Sequence, residues 1–66
     1  MREFDLNKVS AILEIVKEAL DKQDEYRFAS DLIESELVFL KKHVDVEEIE
    51  DFGTITLYKL TSKKAA

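Results

Sequence analysis

Residues Leu37–Thr61 read LVFLKKHVDVEEIEDFGTITLYKLT, and within them the spacing of the apolar residues changes. The run Leu37-Val38-Phe39-Leu40 is apolar nearly all the way round a helix, which implies burial on more than one side. Beyond His43 the period shortens. Val44 to Glu50 and Thr54 to Thr61 are rich in Val, Ile, Thr, Leu and Tyr, the composition of strands. Between them lies Asp51-Phe52-Gly53, which contains the only glycine of the chain. A three-residue hairpin loop needs a left-handed backbone position, and glycine takes it without a steric cost. The stretch therefore predicts the end of a helix followed by a β-hairpin. Ile49, Ile55 and Leu57 are expected on one face of the hairpin, with Val46, Tyr58 and Leu60 on the other.

N-terminal to this stretch the pattern is helical. Leu6, Val9, Ile12, Leu13, Val16, Ala19 and Leu20 recur at i, i+3, i+4 and i+7, a broad apolar stripe over about Asp5 to Leu20. Asp5 or Asn7 can cap this helix by accepting from an unpaired N–H of the first turn. Asp21 to Glu25 form a short polar connection, of a length that favours antiparallel helical neighbours. From Asp24 to about His43 the spacing again suits a helix, with Phe28, Leu32 and Phe39 in one row and Ala29, Ile33, Leu37, Leu40 and Val44 in the next. The alternative is a break near Ser30 or Ser35, where Asp31, Glu34 and the serines offer new caps. The expected fold is α+β: an antiparallel helical hairpin followed by a C-terminal β-hairpin, α-α-β-β, or α-α-α-β-β if the second helix breaks. Residues 1–66 form one domain, and Ser62 to Ala66 are expected to be a frayed basic tail.

A chain of 66 residues has a marginal core. Small domains usually gain support from disulfides, a metal or a second chain. There is no cysteine and a single histidine, so the expected support is self-association or unusually well-packed helices. The lack of cysteine suits a reducing, cytoplasmic setting. No apolar run reaches the about 18 residues of a membrane span, and the Met-Arg-Glu-Phe start lacks the apolar core of a signal peptide. No membrane partner is expected.

The charge is −5 overall and unevenly distributed. Residues 45–51 carry five acids and no base, whereas residues 52–66 carry three bases and no acid. A net-acidic chain repels the phosphate backbone on which nucleic-acid affinity depends.

Chemistry-bearing patterns are few. Nucleophilic catalysis needs a Ser, Thr or Cys beside a positioned base; the only histidine, His43, stands at a helix end where it interacts with the last carbonyls. Asp45, Glu47, Glu48, Glu50 and Asp51 lack the alternating ligands and mid-loop glycine of a calcium loop. On a regular strand, Asp45, Glu47 and Asp51 point one way and Glu48 and Glu50 the other. The tripeptide Asp51-Phe52-Gly53 shares letters with a kinase signature, but none of the accompanying motifs is present. The expectation is a protein without catalytic, cofactor or metal site. The same five carboxylates, with Phe52 at the hairpin tip, are the candidate contact surface for a protein partner of basic surface.

Leu37 to Thr61 also resembles the closing half of a winged-helix domain, in which a recognition helix is followed by a strand, a turn and a returning strand. In that resemblance Leu37 to His43 end the recognition helix, Val46 to Ile49 and Ile55 to Leu60 form the wing, and Leu6 to Leu20 is the opening helix. It implies a DNA-binding regulator, with Lys41, Lys42, Lys59, Lys63 and Lys64 as the cations that would meet phosphate. Because the wing is acidic, the leading expectation is a small non-enzymatic regulatory or adaptor protein. It would act through protein–protein contacts, as a homodimer or as an acidic inhibitor of a basic, nucleic-acid-binding partner. DNA binding is the alternative.

Overall fold

The computed structural model describes residues 3–63. Five elements follow one another: α1 (Leu6–Leu20), β1 (Glu25–Ser30), α2 (Glu34–Lys41), β2 (Val44–Asp51) and β3 (Thr56–Ser62). The strands form one antiparallel sheet in the order β1-β3-β2. The α+β class, two helices and the C-terminal strand pair are as the sequence predicts.

The segment expected as one helix from Asp24 to His43 is instead a strand and a short helix. Phe28 and Ala29, placed in neighbouring helical rows, lie on β1 opposite Tyr58 and Leu57 of β3. Strand pairing overrides the helical spacing because Tyr26 and Phe28 alternate with Arg27 and Ala29, so a single face can be buried. Neither expected topology therefore holds: the helices are separated by a strand, and the hairpin belongs to a three-stranded sheet with β3 at its centre.

α1 begins at Asp5, whose carboxylate accepts from the Lys8 N–H at 3.1 Å. Val9, Leu13 and Val16 are buried, and Ile12 and Leu20 pack at the margin. Leu6, expected in the stripe, is exposed. Leu13 and Val16 meet Leu40 of α2, Val44 of β2, and Tyr58 and Leu60 of β3 in the core. Tyr26 and Phe28 add a partly buried aromatic margin, with Phe28 and Tyr58 rings 5.8 Å apart. Of the apolar run in α2, Leu40 is buried, Leu37 and Phe39 are half-buried and Val38 is exposed.

Glu36 is the one charged residue of the described chain that is fully buried, at 0% exposure. Its Oε1 accepts from the Ile33 N–H at 3.1 Å, the reach-back half of a capping box at the start of α2. Its Oε2 accepts from the Asp5 N–H at 3.0 Å, joining the beginnings of both helices. Lys8 and Asp31 add a 2.5 Å ion pair between α1 and the β1–α2 connection.

The β2–β3 loop is one residue longer than expected and runs from Phe52 to Ile55. The Phe52 N–H donates to the Ile55 carbonyl at 2.8 Å, and the Asp51 carboxylate accepts from the Gly53 N–H at 2.8 Å. Gly53 takes a φ of +99°, the left-handed position anticipated for it. Ser62, expected in a frayed tail, completes β3, and the Lys63 amine donates to the Lys41 carbonyl at 3.0 Å. The remainder of that tail lies outside the described residues.

Candidate functional site

β2 is an edge strand, so its acidic side chains stand at a margin of the sheet. Pairing decides which way each points, because directly opposed residues share a face. Asp45 opposes Thr61 and Glu47 opposes Lys59, both on the face away from Tyr58 and Leu60. Glu48 opposes Tyr58 on the core-side face. At Ile49 the register slips: the next pairs are Glu50 with Leu57 and Asp51 with Thr56. This bulge exchanges the expected directions of the last two acids. Glu50 joins Asp45 and Glu47, while Asp51 joins Glu48; an extra residue in one strand reverses every side chain beyond it.

All five carboxylate residues are exposed. The cation opposite them is Lys59, whose amine lies 3.7 Å from the Glu47 carboxylate. Three acids thus share the outer face and two lie at the rim of the core face. Phe52 stands just past them in the hairpin loop and is 54% exposed, so its ring is presented to solvent. Exposed Ile49 and Ile55 flank it in sequence. The hairpin end combines dense negative charge with accessible apolar surface.

The acids reach one core group. Burial pushes the Tyr58 hydroxyl above its ordinary value of 10.0, a hydrogen bond with Thr56 pulls partly back, and the charges of Glu48, Asp51 and Asp31 push it further up. Glu48 and Asp51 act together here because the bulge puts them on the same face.

The lysines do not form one patch. Lys41, Lys42 and Lys63 gather at the end of α2, where Lys63 binds the Lys41 carbonyl, while Lys59 is committed to the outer sheet face beside Glu47. Lys64 lies outside the described residues. His43 follows α2, its ring 5.3 Å from Phe39, which in turn meets Phe4 edge-on at 6.0 Å. Among the described residues no group of three or more His, Cys, Asp or Glu is placed to hold a metal ion. Among them, too, no helix is long and apolar enough to cross a membrane.

Sequence reasoning missed Glu36, whose carboxylate sits under the helix starts rather than on the surface. Glu at the third helical position suits the reach-back bond, but Ile33 has no capping oxygen and so marks no helix start in the sequence; nothing local signals the bond to Asp5, which is 31 residues away. The chain matches no protein-family model, no curated protein and no solved structure.

Proposed function

We propose that this chain is a small non-enzymatic regulatory or adaptor protein that acts through protein–protein contacts. It would do so as a homodimer or as an acidic inhibitor of a basic, nucleic-acid-binding partner. The observation that supports this most is the edge strand β2, with five exposed carboxylate residues ending at an exposed Phe52. Like charge at such density steers a basic surface inward and raises the association rate more than the affinity. Phe52 then supplies the anchor, since interface energy concentrates in aromatic residues that become desolvated. The cysteine-free composition is compatible with a reducing, cytoplasmic setting for this action.

The experiment is charge reversal of Glu47, Glu48, Glu50 and Asp51 to Lys, with circular dichroism to verify folding and a labelled lysine-rich peptide as probe. Loss of peptide binding in a folded variant supports the reading. Unchanged binding contradicts it.

The second reading is a winged-helix-like DNA-binding regulator, favoured by one observation: α2 is followed directly by β2, a turn and β3. Under it, Lys41, Lys42 and Lys63 at the end of α2, with Lys59 and Lys64, are the phosphate contacts. Lys41→Glu with Lys42→Glu would then abolish binding, and affinity would fall steeply with salt. The acids of β2, adjoining that end of α2 in the chain, oppose this reading by Coulomb repulsion.

A further inference from the structure

The sheet has two edges, and they differ in what they would do against another strand. β2 carries five acids among eight residues, no cation, and a bulge at Ile49. Charge and bulges are the devices that keep an edge strand from pairing with another chain. β1 has neither. Its six residues pair with β3 in unbroken register from Glu25 to Ser30, and the strand holds one acid, one base and no proline. No backbone hydrogen bond other than those of its ladder with β3 reaches these residues within the described chain. Its outward N–H and C=O groups therefore form an open template.

We propose that β1 pairs antiparallel with the β1 of a second copy, joining two three-stranded sheets into one of six strands. This rests on the homodimer reading above and names the surface that would carry it. The charges argue for a copy of the same chain as occupant. Glu25 and Arg27 lie on one face of β1, 2.6 Å apart across their side chains. In a two-fold pairing centred on Tyr26, which overlaps Glu25 to Arg27 of the two strands, Glu25 of each copy stands opposite Arg27 of the other, so this segment complements itself. The β2 edge has no such register, because it holds no base to set against its five acids. On the other face of β1, Tyr26 and Phe28 are half-buried with rings 6.1 Å apart, and a second copy would continue that aromatic row beyond the edge. A 66-residue chain with a small core also gains most from such a partner.

The test is sedimentation velocity of the full chain from about 1 μM to about 500 μM, repeated with Arg27→Glu, with Glu25→Arg, and with an equimolar mixture of the two variants. The side chains of Arg27 and Glu25 are 56% and 42% exposed, and circular dichroism verifies the fold of each variant. The expected result is a concentration-dependent dimer, weakened roughly tenfold in either variant alone and recovered in the mixture, where acidic and basic edges meet. A monomer at every concentration would overturn the proposal and the homodimer reading together. A dimer that neither substitution weakens would overturn this surface and leave the homodimer reading standing. Weakening without recovery in the mixture would also overturn it, since complementarity across the edge is the point at issue.

Discussion

The Glu36 carboxylate receives the backbone N–H of Asp5 at 3.0 Å, across 31 residues of chain, while the Asp5 carboxylate caps α1 at Lys8. One buried acid thus aligns the starts of both helices, because its other oxygen holds the first turn of α2 through Ile33. Carboxylates suit such positions: the helix dipole is positive there, and the N–H groups of a first turn have no partner within the helix. Replacing Glu36 by Ala should cost about 2–4 kcal/mol, since two donors lose a charged acceptor in a buried site. Glu36→Gln, which retains one strong acceptor, should cost less. Urea denaturation of the three chains measures this, and equal stability of wild type and Glu36→Ala would contradict it.

The Asp5 cap is a separate contribution. Asp5→Ala should lower stability by about 1 kcal/mol and Asp5→Asn by only a few tenths, because Asn still accepts from the Lys8 N–H. The backbone N–H that meets Glu36 is unchanged in both variants. Thermal melts of the pair resolve the difference, and identical losses would show that charge rather than capping is at work.

Gly53 isolates a backbone effect. A Cβ built there meets nothing within 4 Å, yet φ is +99°. Gly53→Ala should therefore cost about 1–2 kcal/mol from conformation alone, with no packing term. Nothing sterically forbids the loop, so the amide spectrum beyond residues 51–56 should remain that of the wild type. A neutral substitution would mean that the loop readily relaxes.

Tyr58 makes stability depend on alkaline pH. Its hydroxyl ionises later in the folded chain than in the unfolded one, because burial disfavours the phenolate and Glu48 and Asp51 repel it. The unfolded state thus loses its proton first. Stability is fully present below about pH 10 and falls as pH rises through the raised folded value. Denaturation across pH 8 to 11 should show this decline, and Tyr58→Phe should remove that part of it. An unchanged slope in the variant would assign the decline to other groups.

Much of the fold is legible in local pattern. α1 is readable because its stripe repeats through four turns behind Asp5, and the hairpin because alternation on both sides frames Gly53. β1 is not, since Phe28, Leu32 and Phe39 also satisfy helical spacing. Its true partner, β3, lies about thirty residues away, as in the Phe28–Tyr58 pair. The period-two alternation of Tyr26 and Phe28 against Arg27 and Ala29 was a signal, but over six residues it is short. The acidic surface is legible as composition, whereas its division between faces is not. No residue type in Glu48-Ile49-Glu50 announces a bulge, and one extra residue exchanges the sides of Glu50 and Asp51. Exposure of Phe52 is a tertiary outcome, settled by the closure of its loop through Ile55 rather than by its neighbours in sequence.

The acidic β2 edge as a surface for basic protein, in preference to nucleic acid, is tested most directly by fluorescence anisotropy. Two labelled probes, a mixed-sequence DNA duplex and a lysine-rich peptide, are each titrated with the chain at about 50 mM salt and then at about 200 mM. Salt-sensitive binding of the peptide is expected, with none of the duplex up to about 100 μM, where an ordinary DNA-binding protein already associates non-specifically. Salt-sensitive binding of the duplex with no binding of the peptide would contradict it and give the lysines at the end of α2 the role assigned here to the acids of β2.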